Sequence, residues 1–415
     1  MSERRVVITG MGAITPIGTG LDAYWDGLKN GRSGASMIEH FDTSEFATKF
    51  AAMVNDFNPA DHDLDAKAAR RMDRFTQFAI AASSEAIENS GIDLEAIDKD
   101  RVAVLIGTGI GGMETFYNNC VNFEKRGPRG ISPFFIPMLI PDIAAGHVSI
   151  KYGFHGPNYC AVSACATGSH NIALAYDTIR LGKSDYAVCG GAEAPVIKMG
   201  VSGFNSIKAM STRNDDPATA SRPFDMDRDG FVLGEGAGLM FLETYESAVK
   251  RGATIYGEIA GYGFSADAYH ITAPDPEGKG VVLAITEALK DADIKLEDVD
   301  HINMHGTSTP LGDVAETNSI KKVFGDHTYK INLNSTKSMT GHTLGAAGAV
   351  ESIASVLALY NELVPPTINN FKTDPRCDLN YTFNEAQPRK MRYALNNAFG
   401  FGGHNTTLVF KAFEE

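Results

Sequence analysis

The chain is predicted to be an α/β protein built from two copies of one unit. Two observations carry this. Short apolar runs of strand character alternate with helical periods along the chain, the pattern of a sheet buried on both faces. Residues 89–109, NSGIDLEAIDKDRVAVLIGTG, can also be laid over residues 290–308, KDADIKLEDVDHINMHGTS. The match runs through a helix end, LE-x-hydrophobic-D, a strand, and IGT against HGT. Two copies imply a pseudo-two-fold duplicated core, not a solenoid. The halves are placed at 1–253 and 254–415, with no visible linker.

In the first half VVITG (6–10) is a strand, AIAASSEAIENSGI (79–92) a helix, VAVLIGTG (102–109) a strand and DYAVCGGAEA (185–194) another. Between the last two, Ile172, Leu174, Ala175 and Ile179 repeat at a helical period, so a buried helix starts near Ser169 or slightly earlier. In the second half TIYGEIAGYG (254–263) is a strand, VVLAITEALKDADI (281–294) a helix and VDHINMHGTS (299–308) a strand. Residues 331–335, a helix from about Leu344 and a closing hairpin over 392–411 complete it. The polar, Gly-rich stretch from Met210 to Gly238 is too long for a simple connection, so it is functional or packs over the core.

Charged residues at 21% and hydrophobic residues at 43% fit a soluble globular protein of 415 residues. Five cysteines form no CxxC pair and no zinc spacing, which suggests free thiols in a reducing compartment. The N-terminus enters a strand almost at once, without a targeting sequence, and the best apolar run, PFFIPMLIPDIAAG, is cut by prolines. A cytoplasmic protein away from membranes is expected. The net charge of −14 argues against nucleic acid as a partner.

Cys165 lies in VSACATGS, among small residues at the start of the helix just described. The positive end of a helix lowers a thiol's pKa, and small neighbours leave room for a carbonyl and an oxyanion. The competing reading is a cysteine that merely fills a gap. GTGIGG (107–112) fits a dinucleotide fingerprint, but neither the second strand nor the acid that fingerprint needs follows it. His305, in NMHGTSTP, and His342, in STKSMTGHTLGAAG, are each unremarkable alone. Both at strand ends of one half, facing a thiol of the other, they make a Cys/His/His constellation. No third ligand has metal spacing. Glu351, the lone charge in an apolar helix, needs a partner, and Lys337 is the candidate. GFGGHN (400–405) is a Gly-rich turn flanked by Phe399 and Phe401, either a gate or a tight hairpin plugging the core. KAARRMDRF (67–75) and EKRGPR (124–129) concentrate positive charge, Lys67, Arg70, Arg71 and Arg74 falling within two helical turns.

Occurring together in this order, VSACATGS, NMHGTSTPLGD, STKSMTGHTLGAAG and GFGGHN resemble the condensing enzymes of the thiolase-like fold. Within them the resemblance is to the elongating 3-oxoacyl-[acyl-carrier-protein] synthases, and it spans nearly the whole chain. It implies a duplicated αβαβα core, a homodimer and no cofactor beyond substrates on the phosphopantetheine of acyl carrier protein. It implies Cys165 as the acylated nucleophile, His305 and His342 as the pair acting on the malonyl thioester, and Lys337 with Glu351 fixing the histidines. By the same resemblance the Cys165 and Phe401 N–H groups hold the oxyanion, Gly400 and Gly402 flank the gate, and Asp267 belongs to a loop moving with it. Thr307 and Thr309 would contact pantetheine, Ile110 and Phe204 would line the acyl pocket, and Phe399 would tune the gate. Lys67, Arg70, Arg71, Lys125, Arg126, Arg129 and Lys208 would dock the acidic carrier. A polyketide-type ketosynthase and a non-catalytic chain-length subunit are the rival readings, the latter disfavoured by Cys165.

Overall fold

The computed structural model describes residues 4–414. Five strands come from the first half: Val6–Thr15, Val102–Gly107, Asn158–Tyr159, Tyr186–Glu193 and Gly236–Thr244. Five come from the second: Gly257–Ala266, Val299–Asn303, Asn332–Asn334, Tyr393–Gly400 and His404–Lys411. Each set runs third, second, fourth, fifth, first across its sheet. The senses agree as well. The second strand is parallel to the third and fourth, and the remaining pairings are antiparallel. The sets join where Val6–Ile8 pairs with Gly257–Ile259, and with the two-residue strand Gly18–Thr19 they make one sheet of 11 strands.

Helices Thr167–Arg180 and Ala347–Asn361 pack together between the two halves of this sheet. Arg74–Ser90 covers the outer face of one half and Lys279–Asp291 that of the other, which completes an αβαβα arrangement. The central helices approach closely because their facing positions lack side chains. A Cβ on Gly168 would lie 2.7 Å from Ala349 N, and one on Gly348 would lie 2.2 Å from Ser169 Oγ.

A helix covered all round is apolar all round. Leu344–Asn361 is therefore the described helix long and apolar enough to cross a membrane, yet 89% of it is buried inside the protein. This corrects the choice of PFFIPMLIPDIAAG as the most apolar run. That stretch is two helices, Phe135–Leu139 and Ile143–Tyr152, parted at Pro141.

KAARRMDRF is not one helix either. Ala66–Ala69 ends before Asp73, and a second helix begins at Arg74. Arg74 is turned inward, 3.1 Å from Glu235 and 2.7 Å from Val54 O, and so leaves the surface cluster. The long stretch after Met210 packs over the core through buried Arg228, held by Asp313 at 3.2 Å and Asp374 at 2.9 Å.

Candidate active site

Cys165 sits in a tight 3-10 turn, Ala164–Ala166, that runs directly into the helix Thr167–Arg180. Ala164 takes φ 50°, a left-handed conformation costly for a residue with a side chain, and it turns the backbone into an elbow. The Cys165 sulfur opens onto a cavity of about 620 Å³. His305 and His342 line the same cavity, their ring centroids 5.3 Å apart and nearly perpendicular. His305 follows the strand Val299–Asn303, as expected, and its backbone N–H donates to Glu316 at 2.9 Å. His342 does not end a strand. It lies beyond the short helix Lys337–Thr340, its N–H donating to Val232 O at 2.7 Å and its carbonyl accepting from Gly234 at 2.9 Å.

Electrostatics at the thiol depart from expectation. Burial pushes Cys165 up to about 12, and the Lys337 charge and the Phe401 N–H at the sulfur oppose this only in part. The resting side chain is a thiol, contrary to the lowered pKa expected from its place at a helix start. Burial outweighs the helix terminus because a thiolate in an apolar pocket forfeits its hydration. Both imidazoles are held well below their ordinary 6.5, first by burial and then by Lys337, so they are neutral. Lys337 and Glu351 form a fully buried ion pair, as the lone carboxylate required. Burial raises Glu351 to about 7 while Lys337 pulls it down.

The turn after Tyr393–Gly400 closes over Cys165. A Cβ on Gly400 would lie 2.6 Å from Ser163 O and 3.1 Å from Cys165 N, so only glycine lets the turn come this near. Phe401 is 37% exposed and does not plug the core. Gly402 and Gly403 take φ 89° and 76°. Gly403 O accepts from Asp267 N at 2.9 Å, Gly402 N donates to Ile271 O at 2.8 Å, and Asn405 holds Asp267 at 2.7 Å. The Asp267 loop and the glycine turn are thus stitched together.

Ile110, Phe204, Asp267, Thr307, Thr309, Phe399 and Lys208 all line the cavity. Ile110 and Phe204 also pack in the apolar cluster containing Cys165, with Val196, Val201, Phe231 and Leu344. Lys67, Arg70, Arg71, Lys125, Arg126 and Arg129 are exposed and stand outside the cavity lining. The first-half turn GTGIGG is followed by a helix, Met113–Arg126, but not by the second strand of a dinucleotide fold. Among the described residues no group of acids, cysteines and histidines could hold a metal.

Two buried carboxylates escaped sequence reading. Glu316 accepts the N–H groups of His305 and Gly306, and burial raises it to about 7. Glu193 accepts from Thr108, Gly109, Ile110 and Gly345. Glu193 was discoverable as the lone charge in the apolar and small run YAVCGGAEA (186–194), by the reasoning applied to Glu351. Glu316 lies in a polar helix and gave no such signal.

Residues 3–248 match the model of the beta-ketoacyl synthase N-terminal domain, and residues 256–371 match that of the C-terminal domain. The chain belongs to the β-ketoacyl synthase family. This β-ketoacyl synthase is 50% identical over 414 residues to a protein of Synechocystis sp. named 3-oxoacyl-[acyl-carrier-protein] synthase 2, covering 100% of this chain and 99% of that one. It is 50% identical to a protein of the same name from Staphylococcus aureus strain COL, with 99% of each covered. Among solved structures it resembles a type II PKS ketosynthase in complex with its acyl-carrier protein, at 34% identity and TM-score 0.93. A beta-ketoacyl synthase from Burkholderia phymatum STM815 matches at 36% identity and TM-score 0.92. Each structure covers 99% of this chain and is itself wholly covered.

Proposed function

We propose that this synthase elongates fatty-acyl chains by decarboxylative Claisen condensation, through an acyl-Cys165 intermediate. The observation that carries the reading is the shared cavity. One thiol from the first half and two neutral imidazoles from the second meet there, with the Phe401 N–H on the sulfur.

In the first step Cys165 sulfur attacks the carrier's acyl thioester. A new C–S bond forms, the bond to pantetheine breaks, and the thiol proton passes to the departing pantetheine sulfur. The Cys165 and Phe401 N–H groups stabilise the tetrahedral oxyanion. Malonyl carrier then loses CO2. The electron pair of the broken C–C bond moves into the thioester as an enolate, whose oxygen His305 and His342 stabilise by hydrogen bonding. The enolate carbon attacks the Cys165 thioester, a C–C bond forms, and the cysteine leaves and takes up a proton. Neutral imidazoles suit this work. They donate without presenting a net charge that would hold the malonyl carboxylate in place.

Ile110 and Phe204 serve as walls for the acyl chain, Thr307 and Thr309 as contacts for pantetheine, and Asp267, Phe399, Gly400 and Gly402 as parts of the moving turn. Lys337 acts through its charge, with Glu351 as its anchor. Exposed Lys67, Arg70, Arg71, Lys125, Arg126, Arg129 and Lys208 would receive the acidic carrier, which a chain of net charge −14 otherwise repels. The division near residue 253 is supported by the repeated strand order, and a homodimer by the exposed, apolar-flanked edge strand Asn158–Tyr159. The 50% identity to synthase 2 proteins, against 34% to the polyketide ketosynthase, favours elongation over polyketide assembly.

Mass spectrometry after incubation with acyl and malonyl carrier proteins tests this. Acyl mass at Cys165 and a product two carbons longer are expected. Acylation elsewhere, or no elongation, refutes it.

A further inference from the structure

Each half of the chain contains the same elbow. In the first half Ala164, at φ 50°, opens the turn Ala164–Ala166 before its central helix. In the second, Leu344, at φ 49°, opens the turn Leu344–Ala346 before Ala347–Asn361. Aligning the turns puts Gly345 where the first half has Cys165. A side chain there is excluded, since a Cβ would lie 2.1 Å from Gly109 N and 2.6 Å from Glu193 Oε2.

The strands that reach these elbows correspond too. Each is the fourth of its half and eight residues long, one ending at Gly400 and the other at Glu193. Gly400 leaves the Cys165 elbow open to the cavity. Glu193 instead closes the Gly345 elbow, accepting the Gly345 N–H at 2.9 Å. Its carboxylate also accepts from Thr108 Oγ1 at 2.5 Å, Gly109 N at 2.7 Å and Ile110 N at 3.2 Å. The residue is 1% exposed. Four donors converging on one buried oxyanion make a cradle of the type a condensing site uses transiently, here filled by a resident anion. An apolar side chain would occupy the space without the cost of burying a charge. The carboxylate adds a link between two segments that otherwise only touch.

We propose that Glu193 is a positioning residue that clamps the Ile110 wall of the cavity to the turn Leu344–Ala346, which directly follows His342. This rests on the condensing reading, in which the acyl chain lies against Ile110 and the malonyl thioester against His342. The clamp then sets chain-length response and imidazole placement together.

The test is Glu193→Gln in the full-length enzyme, assayed with short and long saturated acyl groups on carrier protein. Glutamine keeps the size but turns an NH2 group toward N–H donors. Each carboxylate oxygen takes two of the four donors, Oε1 those of Thr108 and Ile110 and Oε2 those of Gly109 and Gly345. Losing the charge and the N–H bonds at one of them is expected to lower the long-to-short ratio of kcat/KM about tenfold, through KM, and to slow malonyl decarboxylation. A uniform fall in kcat at every length, with an unchanged ratio, would assign Glu193 to mere packing and overturn the proposal. If Glu193→Gln fails to fold, Thr108→Val removes only one of the four bonds. A smaller shift in the same direction supports the clamp, and an unchanged ratio overturns it. A wild-type enzyme that condenses no carrier-linked pair overturns the functional reading itself, and that is seen before any variant is compared.

Discussion

Gly400→Ala isolates what the close approach of the terminal turn contributes. The new Cβ would stand 2.6 Å from Ser163 O, 3.1 Å from Cys165 N and 3.3 Å from Ala166 N, all backbone atoms that cannot rotate away. Restoring ordinary contact at 3.4 Å moves the turn by about 0.8 Å. Gly400 is not among the residues with positive φ, so alanine adds no backbone strain and the effect is steric. Overpacking of this size costs about 1–3 kcal/mol of stability, which a large protein survives. Catalysis suffers more. The shift takes the Phe401 N–H away from the Cys165 sulfur, and one lost oxyanion donor is worth about 10²–10³-fold in rate. Stopped-flow acylation of Cys165 by acyl carrier protein should therefore slow about a hundredfold, with thermal melting showing a folded protein. Acylation within about twofold of wild type would refute the link between the glycine turn and the oxyanion.

The buried pair gives a second expectation: Lys337→Met should destabilise the fold by about 3–5 kcal/mol by stranding Glu351, while Lys337→Met with Glu351→Met should recover most of that in equilibrium denaturation. Parallel losses in the single and double variants would mean the charges are not coupled. A third concerns pH. Burial and Lys337 depress both histidines, so the imidazolium forms only well below 6.5. NMR titration of the two imidazole rings should show them neutral as pH falls through 6.5 and protonating only at lower pH. Ring protonation at 6.5 or above would contradict the neutral pair, whereas an acid limb in turnover near 7 would report Glu351 or Glu316. Finally, reversing the charges of Arg70 and Arg71 should raise KM for carrier-linked substrates about tenfold at low salt, less at high salt, while sparing Cys165 alkylation. An unchanged KM would remove these arginines from the docking surface.

The sequence determined the alternation of strands and helices, the duplication, and which residues are proposed to carry chemistry. Cys165, His305, His342 and the Lys337–Glu351 pair were legible because each stands out locally, as a thiol among small residues, an imidazole in a turn or a charge in an apolar helix. Tertiary structure decided what a residue's neighbours do to it. Whether Cys165 rests as thiol or thiolate depends on solvent removed by segments far along the chain, and no local pattern records that. The inward turn of Arg74 needs Glu235, and the cradle around Glu193 needs three separate stretches to converge. Local pattern follows from the chain's own periodicity, whereas desolvation and charge pairing arise only when distant segments exclude water together.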